Sequence, residues 1–167
     1  SELNVLPAGS MAPEISLNDY EGKPIKLSSL RGKVVLIDFW ASWCAPCRRE
    51  NPEIVAAYEK LKGNDFEIYG ISLDNNMEAW NEAVERDKIT WIQVSDLQRW
   101  ESPVVKLYQV QAIPYNVLID REGKITEHKV TTPNSSLRGV CVGPEGDLWF
   151  TANAANKIGR MRPDGTM

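Results

Sequence analysis

Several classes of protein need features that this sequence lacks. Its 167 residues include one histidine and three cysteines, too few for a disulfide-stabilised scaffold, and an odd number that leaves one cysteine unpaired. No apolar run is long enough to cross a bilayer, and no segment has the pattern of a signal peptide. The net charge of −4 provides no general basic surface for nucleic acid or for an anionic membrane. Nucleic-acid binding is therefore not expected.

The composition is that of a folded domain. Hydrophobic residues make up 43% of the chain and charged residues 25%, enough to bury a core. Up to about residue 130, short apolar runs alternate with helical patterns, which predicts an α/β domain with parallel strand pairs. After residue 131, glycine and proline separate short β-like runs, and no amphipathic helix fits. The length favours one domain, or one domain and a fragment.

Periodicity and turn residues predict the elements of the α/β part. In chain order they are a hairpin over 15–30, strand 33–40, helix 44–62, strand 65–73, helix 77–86, strand 90–94, short helix 103–108 and strand 115–120. In helix 77–86, the side chains of Met77, Trp80, Ala83 and Val84 are predicted to face inward. The charged run at 85–88 is predicted to be a solvated helix end.

Two cysteines, Cys44 and Cys47, lie three apart where a strand meets a helix. A zinc site would need further ligands, and the remaining candidates, Cys141 and His128, lack ligand-pair spacing. A structural disulfide across two residues would restrain little of the unfolded chain. A redox pair is favoured, because a cysteine at a helix N-terminus is stabilised as a thiolate and a second cysteine one turn later can resolve a mixed disulfide.

The residues around this pair resemble a known family. The stretch VVLIDFWASWCAPCRRENPEI, with a later Ile-Pro before YNVLID, is similar to the thioredoxin superfamily and within it to the TlpA/ResA-like thiol-disulfide oxidoreductases of bacterial cell envelopes. APEISLNDYEGKPIKLSSLRGK is similar to their N-terminal hairpin. The resemblance covers about residues 8–126 and implies a thioredoxin-like α/β fold that begins with a hairpin.

This resemblance implies three catalytic residues. Cys44 would be the attacking nucleophile and Cys47 the resolving thiol. Asp38 matches the buried acid of classical thioredoxins, and its place between Ile37 and Phe39 favours burial. A buried carboxyl has a raised pKa and can pass a proton to or from Cys47.

The resemblance also implies a substrate-binding surface. Trp43 would shield the disulfide, and Ala45 and Pro46, between the cysteines, would belong to the surface that meets the substrate. Ile113 would offer backbone hydrogen bonds to the substrate, and Pro114 would be a cis-proline beside the disulfide.

Partners and location follow from the resemblance alone. It implies protein thiols and disulfides as substrates, a membrane or envelope electron donor, no cofactor and no metal. It also implies a location outside the cytoplasm. The chain begins at Ser1 without a methionine, so we expect that a leader preceded it.

A thiol peroxidase is the alternative function. Peroxiredoxins share this fold and a similar N-terminal hairpin. Their motif needs a proline seven residues before the peroxidatic cysteine and a threonine or serine three before it. The corresponding residues here are Ile37 and Ala41, so disulfide exchange is the preferred hypothesis.

The C-terminal residues resemble a different family. From about Gly123, the stretch containing PNSS, RGVCVGPEG, LWFT and NKIGR is similar to one blade of the virginiamycin B (streptogramin) lyase β-propeller. We therefore divide the chain into an oxidoreductase domain, 1–126, and a blade-like β segment, 127–167, that is not an independent domain. A natural fusion, an engineered chimera and an artefact would all produce this join, and a non-enzymatic fusion with a lyase-like propeller fragment is the second alternative function.

Lyase activity is not expected from the blade-like segment. The lyase has a histidine and a glutamate where this chain has Arg138 and Ala152, and one blade cannot close a propeller. We expect a β-meander that replaces the usual last helix of the oxidoreductase and packs on its sheet or mediates dimerisation.

Overall fold

The computed structural model describes residues 6–126 and the backbone of three later strands. The chain opens with an antiparallel hairpin of β1 (Ser16–Asn18) and β2 (Pro24–Lys26). Asp19 closes the turn, because its Oδ1 accepts from the backbone N–H groups of Glu21 and Lys23. The predicted N-terminal hairpin is confirmed.

A four-stranded mixed sheet forms the centre of the domain. Its strands are β3 (Val34–Trp40), β4 (Phe66–Ser72), β5 (Ile92–Val94) and β6 (Tyr115–Ile119), in the order β5-β4-β3-β6. The pairs β3–β4 and β4–β5 are parallel, whereas β6 is antiparallel to β3. Every residue of β3 is buried, as its nearly all-apolar sequence predicts for a strand covered on both faces.

Three helices connect these strands: α1 (Ala45–Leu61), α2 (Met77–Arg86) and α3 (Pro103–Leu107). The units β3-α1-β4 and β4-α2-β5 are crossovers between parallel strands, and their right-handed connection places α1 and α2 on the same face of the sheet. Among the described helices, none is long and apolar enough to cross a membrane.

The inward face of α2 was predicted correctly except at its start. Trp80, Ala83 and Val84 are buried, but Met77 is 40% exposed. Met77 is the first residue of the helix, directly after the capping Asn76. Helical spacing identifies a face but does not show where a helix extends beyond the sheet, so the prediction for Met77 is wrong.

Beyond the central domain the described backbone forms a β-meander. Strands β7 (Val140–Val142), β8 (Leu148–Ala152) and β9 (Lys157–Met161) pair antiparallel in the order β7-β8-β9. Strand β7 lies near α1, and β8 lies near β6. The predicted C-terminal meander is confirmed, while His128 and the side chain of Cys141 fall outside the described residues.

Backbone amides of β7, β8 and β9 are expected to exchange with deuterium faster than those of β3 and β4. A small sheet with two edge strands is marginally stable alone, whereas β3 is central and fully buried. Hydrogen exchange read by mass spectrometry on peptides from both sheets tests this. Equal protection in the two sheets would show that the meander is part of the same cooperative unit.

Candidate active site

The two cysteines lie where the sequence places them, at the start of α1. Cys44 is the N-cap residue and forms a disulfide with Cys47, with their Cα atoms 5.3 Å apart. Both are buried, and the backbone N–H of Cys47 points at Cys44 Sγ at 3.3 Å. Free N–H groups at a helix N-terminus favour negative charge, so this position stabilises the thiolate that forms on reduction.

The predicted substrate-binding residues surround this disulfide. The Ile113–Pro114 peptide bond is cis, and the carbonyl oxygen of Ile113 lies 3.7 Å from Cys44 Sγ. Ala45 and Pro46 are exposed, as is Trp43, whose indole N–H donates to the carbonyl of Leu73. The structure therefore brings these residues together at one end of the sheet, next to Cys44.

A buried carboxylate that the sequence did not indicate holds the loop before Cys44. Asp74, which follows β4, accepts from the backbone N–H of Ser42 at 3.1 Å and from the Ser42 hydroxyl. Ser72 also donates to Asp74, at 2.6 Å. These bonds fix the loop between β3 and α1, and with it the position of the disulfide.

An ion pair between helices supports the same loop from the other side. Arg48 binds Asp87 with both Nε and Nη2 and also donates to the carbonyl of Ser42, at 3.0 Å. The buried Asn51 donates to Asp87 at 2.7 Å. The prediction that the charged run at 85–88 is simply solvated is therefore wrong for Asp87, because the fold places it against α1.

Asp38 lies in the middle of β3, within a buried polar row across the sheet. Asp38 is paired in register with Asn116 on β6 and with Gly70 on β4. Gly70 is in turn paired with Gln93 on β5. The amide nitrogen of Asn116, in the orientation that satisfies the group, donates to Asp38 Oδ1 at 2.6 Å. These three neighbours are neutral, so none of them compensates a charge on Asp38.

Gly70 is required by close packing within this row. A Cβ at this position would overlap Gln93 Nε2, because the Gln93 amide lies over the glycine. Gln93 Oε1 accepts from two buried indoles, Trp40 at 2.9 Å and Trp80 at 3.2 Å. The two tryptophans thus orient a neutral amide on the strand beyond Gly70.

Burial raises the pKa of Asp38 from 3.8 to about 7. The side chain is 2% exposed, and loss of hydration disfavours its charged form. The predicted burial of Asp38 is confirmed, and a carboxyl group with this pKa can hold or release a proton near neutral pH.

A second acid, Glu50, was missed by the sequence analysis. Burial first, and then the charges of Asp38 and Glu53, raise its pKa to about 7, while the charge of Arg49 opposes them. Glu50 Oε2 is buried and accepts no hydrogen bond from residues 6–126. Its position in α1, one turn after Cys47, was the available signal. The site therefore contains two interacting carboxyl groups.

A redox-active cysteine pair at a helix N-terminus, beside a cis-proline on a thioredoxin-like sheet, defines a thiol-disulfide oxidoreductase. Residues 8–128 match the AhpC/TSA family. The chain belongs to this family.

Relatives and solved structures agree on the activity. The chain is 33% identical over 129 residues to the thiol-disulfide oxidoreductase ResA of Bacillus subtilis, covering 77% of this chain and 70% of that protein. The thioredoxin domain of a thiol-disulfide oxidoreductase from Bacteroides vulgatus superposes with a TM-score of 0.68 at 39% identity, covering 72% of this chain and 86% of that one. A thiol-disulfide oxidoreductase from Bacteroides fragilis superposes with a TM-score of 0.66 at 36% identity, covering 70% of this chain and 87% of that one. The chain is a thiol-disulfide oxidoreductase with a thioredoxin-like fold.

Proposed function

We propose that the chain reduces disulfides of client proteins through Cys44 and Cys47. The observation that carries this proposal is the capping geometry, in which the Cys47 N–H points at Cys44 Sγ at the helix N-terminus. That arrangement favours a thiolate on Cys44 in the reduced protein.

Exchange proceeds in two displacements. The Cys44 thiolate attacks one sulfur of the client disulfide, the client S–S bond breaks, and a mixed disulfide and one client thiolate form. The Cys47 thiolate then attacks Cys44 Sγ and releases the second client sulfur as a thiolate. Two electrons pass to the client, which takes up two protons, and the protein is left in the disulfide form seen here.

We assign the proton transfers to Asp38 and Glu50. Cys47 must lose a proton before it attacks, and Asp38 with a pKa of about 7 can accept one near neutral pH. Glu50, whose pKa is also about 7, lies in the same helix as Cys47. Because the charge of Asp38 adds to the raised pKa of Glu50, loss of Asp38 is expected to lower the pKa of Glu50.

The client is proposed to bind along the cis-proline. Ile113 offers backbone hydrogen bonds to an extended client segment, and Pro114, Trp43, Ala45 and Pro46 line the contact. What supports this is the proximity of the Ile113 carbonyl to Cys44 Sγ and the exposure of Trp43, Ala45 and Pro46.

The location and the electron donor are also proposals. We infer an extracytoplasmic protein, in the periplasm or cell envelope, that a dithiol protein of the membrane or envelope reduces again after each turnover. The similarity to ResA supports this assignment. The chain's lack of a general basic surface agrees with protein clients and with no nucleic-acid partner.

For the C-terminal residues we propose a structural role. The division into 1–126 and 127–167 is supported by the family match, which ends at 128. An antiparallel meander of three strands is compatible with one lyase-like propeller blade. Arg138 and Ala152 replace the lyase acid–base pair, so streptogramin B is expected to remain intact. Dimerisation through the meander is an alternative to packing on the domain.

The direction of exchange is tested by equilibrating the protein with defined dithiol buffers and following the Cys44–Cys47 disulfide. A reduction potential more negative than that of protein disulfide isomerase, about −180 mV, is expected of a reductase. An oxidising potential would instead make the protein an oxidant of its clients. Efficient turnover of hydrogen peroxide would favour the peroxidase alternative, which the buried Ile37 and Ala41 argue against.

A further inference from the structure

Two large aromatic side chains next to the disulfide are exposed. Trp43 is 43% exposed and directly precedes Cys44, and Trp100 is 40% exposed on the loop after β5. Their ring centroids lie 6.3 Å apart at an angle of 53°. The guanidinium of Arg99 lies over the Trp43 ring, 5.3 Å from its centroid. We call Trp43, Arg99 and Trp100 the rim cluster.

The loop that carries Arg99 and Trp100 has a strained backbone and is tied by hydrogen bonds. Leu97 and Arg99 have φ angles of 59° and 52°, which non-glycine residues adopt only when their surroundings impose it. The Ser95 hydroxyl accepts from the N–H of Leu97, and Asp96 accepts from the Ser102 hydroxyl at 2.6 Å. These bonds hold a strained loop whose tip turns Arg99 and Trp100 toward Trp43.

The rim cluster also carries the positive charge of Arg99. Arg99 is exposed, and within residues 6–126 no carboxylate forms an ion pair with it. Asp96, three residues earlier, is occupied by the Ser102 hydroxyl and the N–H of Gln98. Tryptophan and arginine are the side chains that most often dominate protein interfaces, and a rim charge selects partners of opposite charge.

We propose that the rim cluster is a specificity site for client segments that carry a carboxylate and a large apolar side chain beside the reactive cysteine. The apolar side chain packs on the two indoles, and the carboxylate pairs with Arg99. This inference rests on the proposed reduction of client disulfides and adds a selection step to it. It places selectivity on the loop after β5, separate from the backbone contacts at Ile113.

The test uses two synthetic peptides that differ at one position. Each peptide contains one phenylalanine and one cysteine, and the cysteine forms a mixed disulfide with 2-mercaptoethanol. The position two residues from the cysteine is aspartate in one peptide and lysine in the other. The pre-reduced full chain reacts in a single turnover, and each rate constant is divided by that for hydroxyethyl disulfide. The division removes changes in the reactivity of Cys44 itself.

The wild-type chain is expected to prefer the aspartate peptide by about tenfold at low salt, because a charge pair of this kind acts mainly on association. This preference is expected to fall as salt is added, since the pair is exposed. Arg99→Glu is expected to reverse the preference, and Trp100→Ala to slow both peptides. Arg86→Glu, a charge reversal on the exposed end of α2, is the matched control and is expected to keep the wild-type ratio.

Equal wild-type rates for the two peptides, or an unchanged ratio in Arg99→Glu, would overturn the specificity site. The salt series on the wild-type chain tests the site even if a variant does not fold. A wild-type chain that exchanges neither the peptides nor hydroxyethyl disulfide would instead refute the proposed function, so the two failures are distinct.

Discussion

A Cys44→Ser chain is expected to reduce a client disulfide no faster than the uncatalysed reaction, a loss of about a thousandfold or more. Serine keeps the size of the side chain at the N-cap but removes the sulfur that forms the mixed disulfide. Insulin reduction with a dithiol donor, followed by turbidity, measures the loss.

Two further variants separate the roles of the cysteines. Cys47→Ser is expected to accumulate a mixed disulfide with the client, visible as an added mass, because the resolving thiol is absent. Cys141→Ser is the matched control and is expected to keep the wild-type rate. Preferential alkylation of Cys47 or Cys141 by limiting reagent would contradict Cys44 as the nucleophile.

An Asp38→Asn chain is expected to be more stable than wild type at alkaline pH. The pKa of Asp38 is about 7 in the folded protein and 3.8 as its ordinary value, so folding favours the protonated form. Stability from this group is present below pH 4 and is lost as the pH rises through 7. The difference between the two pKa values corresponds to roughly 4 kcal/mol of folding stability, lost by wild type at alkaline pH. Asparagine, which does not ionise, keeps this stability at any pH.

Urea unfolding between pH 4 and pH 9 measures this effect. The two proteins should have nearly equal free energies of unfolding at pH 4 and diverge up to about pH 8. Asp65→Asn, at a carboxylate whose side chain is 70% exposed, is the matched control and should show no such divergence. Parallel pH profiles for wild type and Asp38→Asn would mean that Asp38 titrates normally.

The same variant is expected to slow disulfide exchange by about tenfold, which is about 1.4 kcal/mol of barrier. Asparagine cannot accept the proton that Cys47 must lose. The exchange rate is measured across neutral pH with reduced protein in single turnover. An unchanged rate at every pH would remove Asp38 from the proton transfer.

Much of the fold could be predicted because its signals are local. The nearly all-apolar sequence of β3 predicted a buried strand, and the cysteines after its end predicted the start of α1. The Ile113–Pro114 bond, by contrast, was expected to be cis only from the family resemblance, since most such bonds are trans.

What could not be predicted depends on contacts between residues distant in the chain. Asp87 was taken for a solvated charge because nothing near it in sequence indicates that α1 lies opposite. Glu50 has no sequence signal beyond its place in α1, because its pKa is raised by burial and then by the charge of Asp38 on β3. Gly70 offers no signal at all, since its role is to leave room for Gln93.

The position of β6 beside β3 has a consequence for the order in which the domain assembles. On the ribosome, β3, β4 and β5 emerge in sequence and can pair at once through local crossovers. The other edge of β3 stays unpaired until β6 is synthesised, because β6 follows the other three strands of the sheet in the chain. Until then β3, which is fully buried in the folded domain, has an open edge that can pair with strands from other chains. Nascent chains that stall before Tyr115 are therefore the species in which aggregation of this protein would begin.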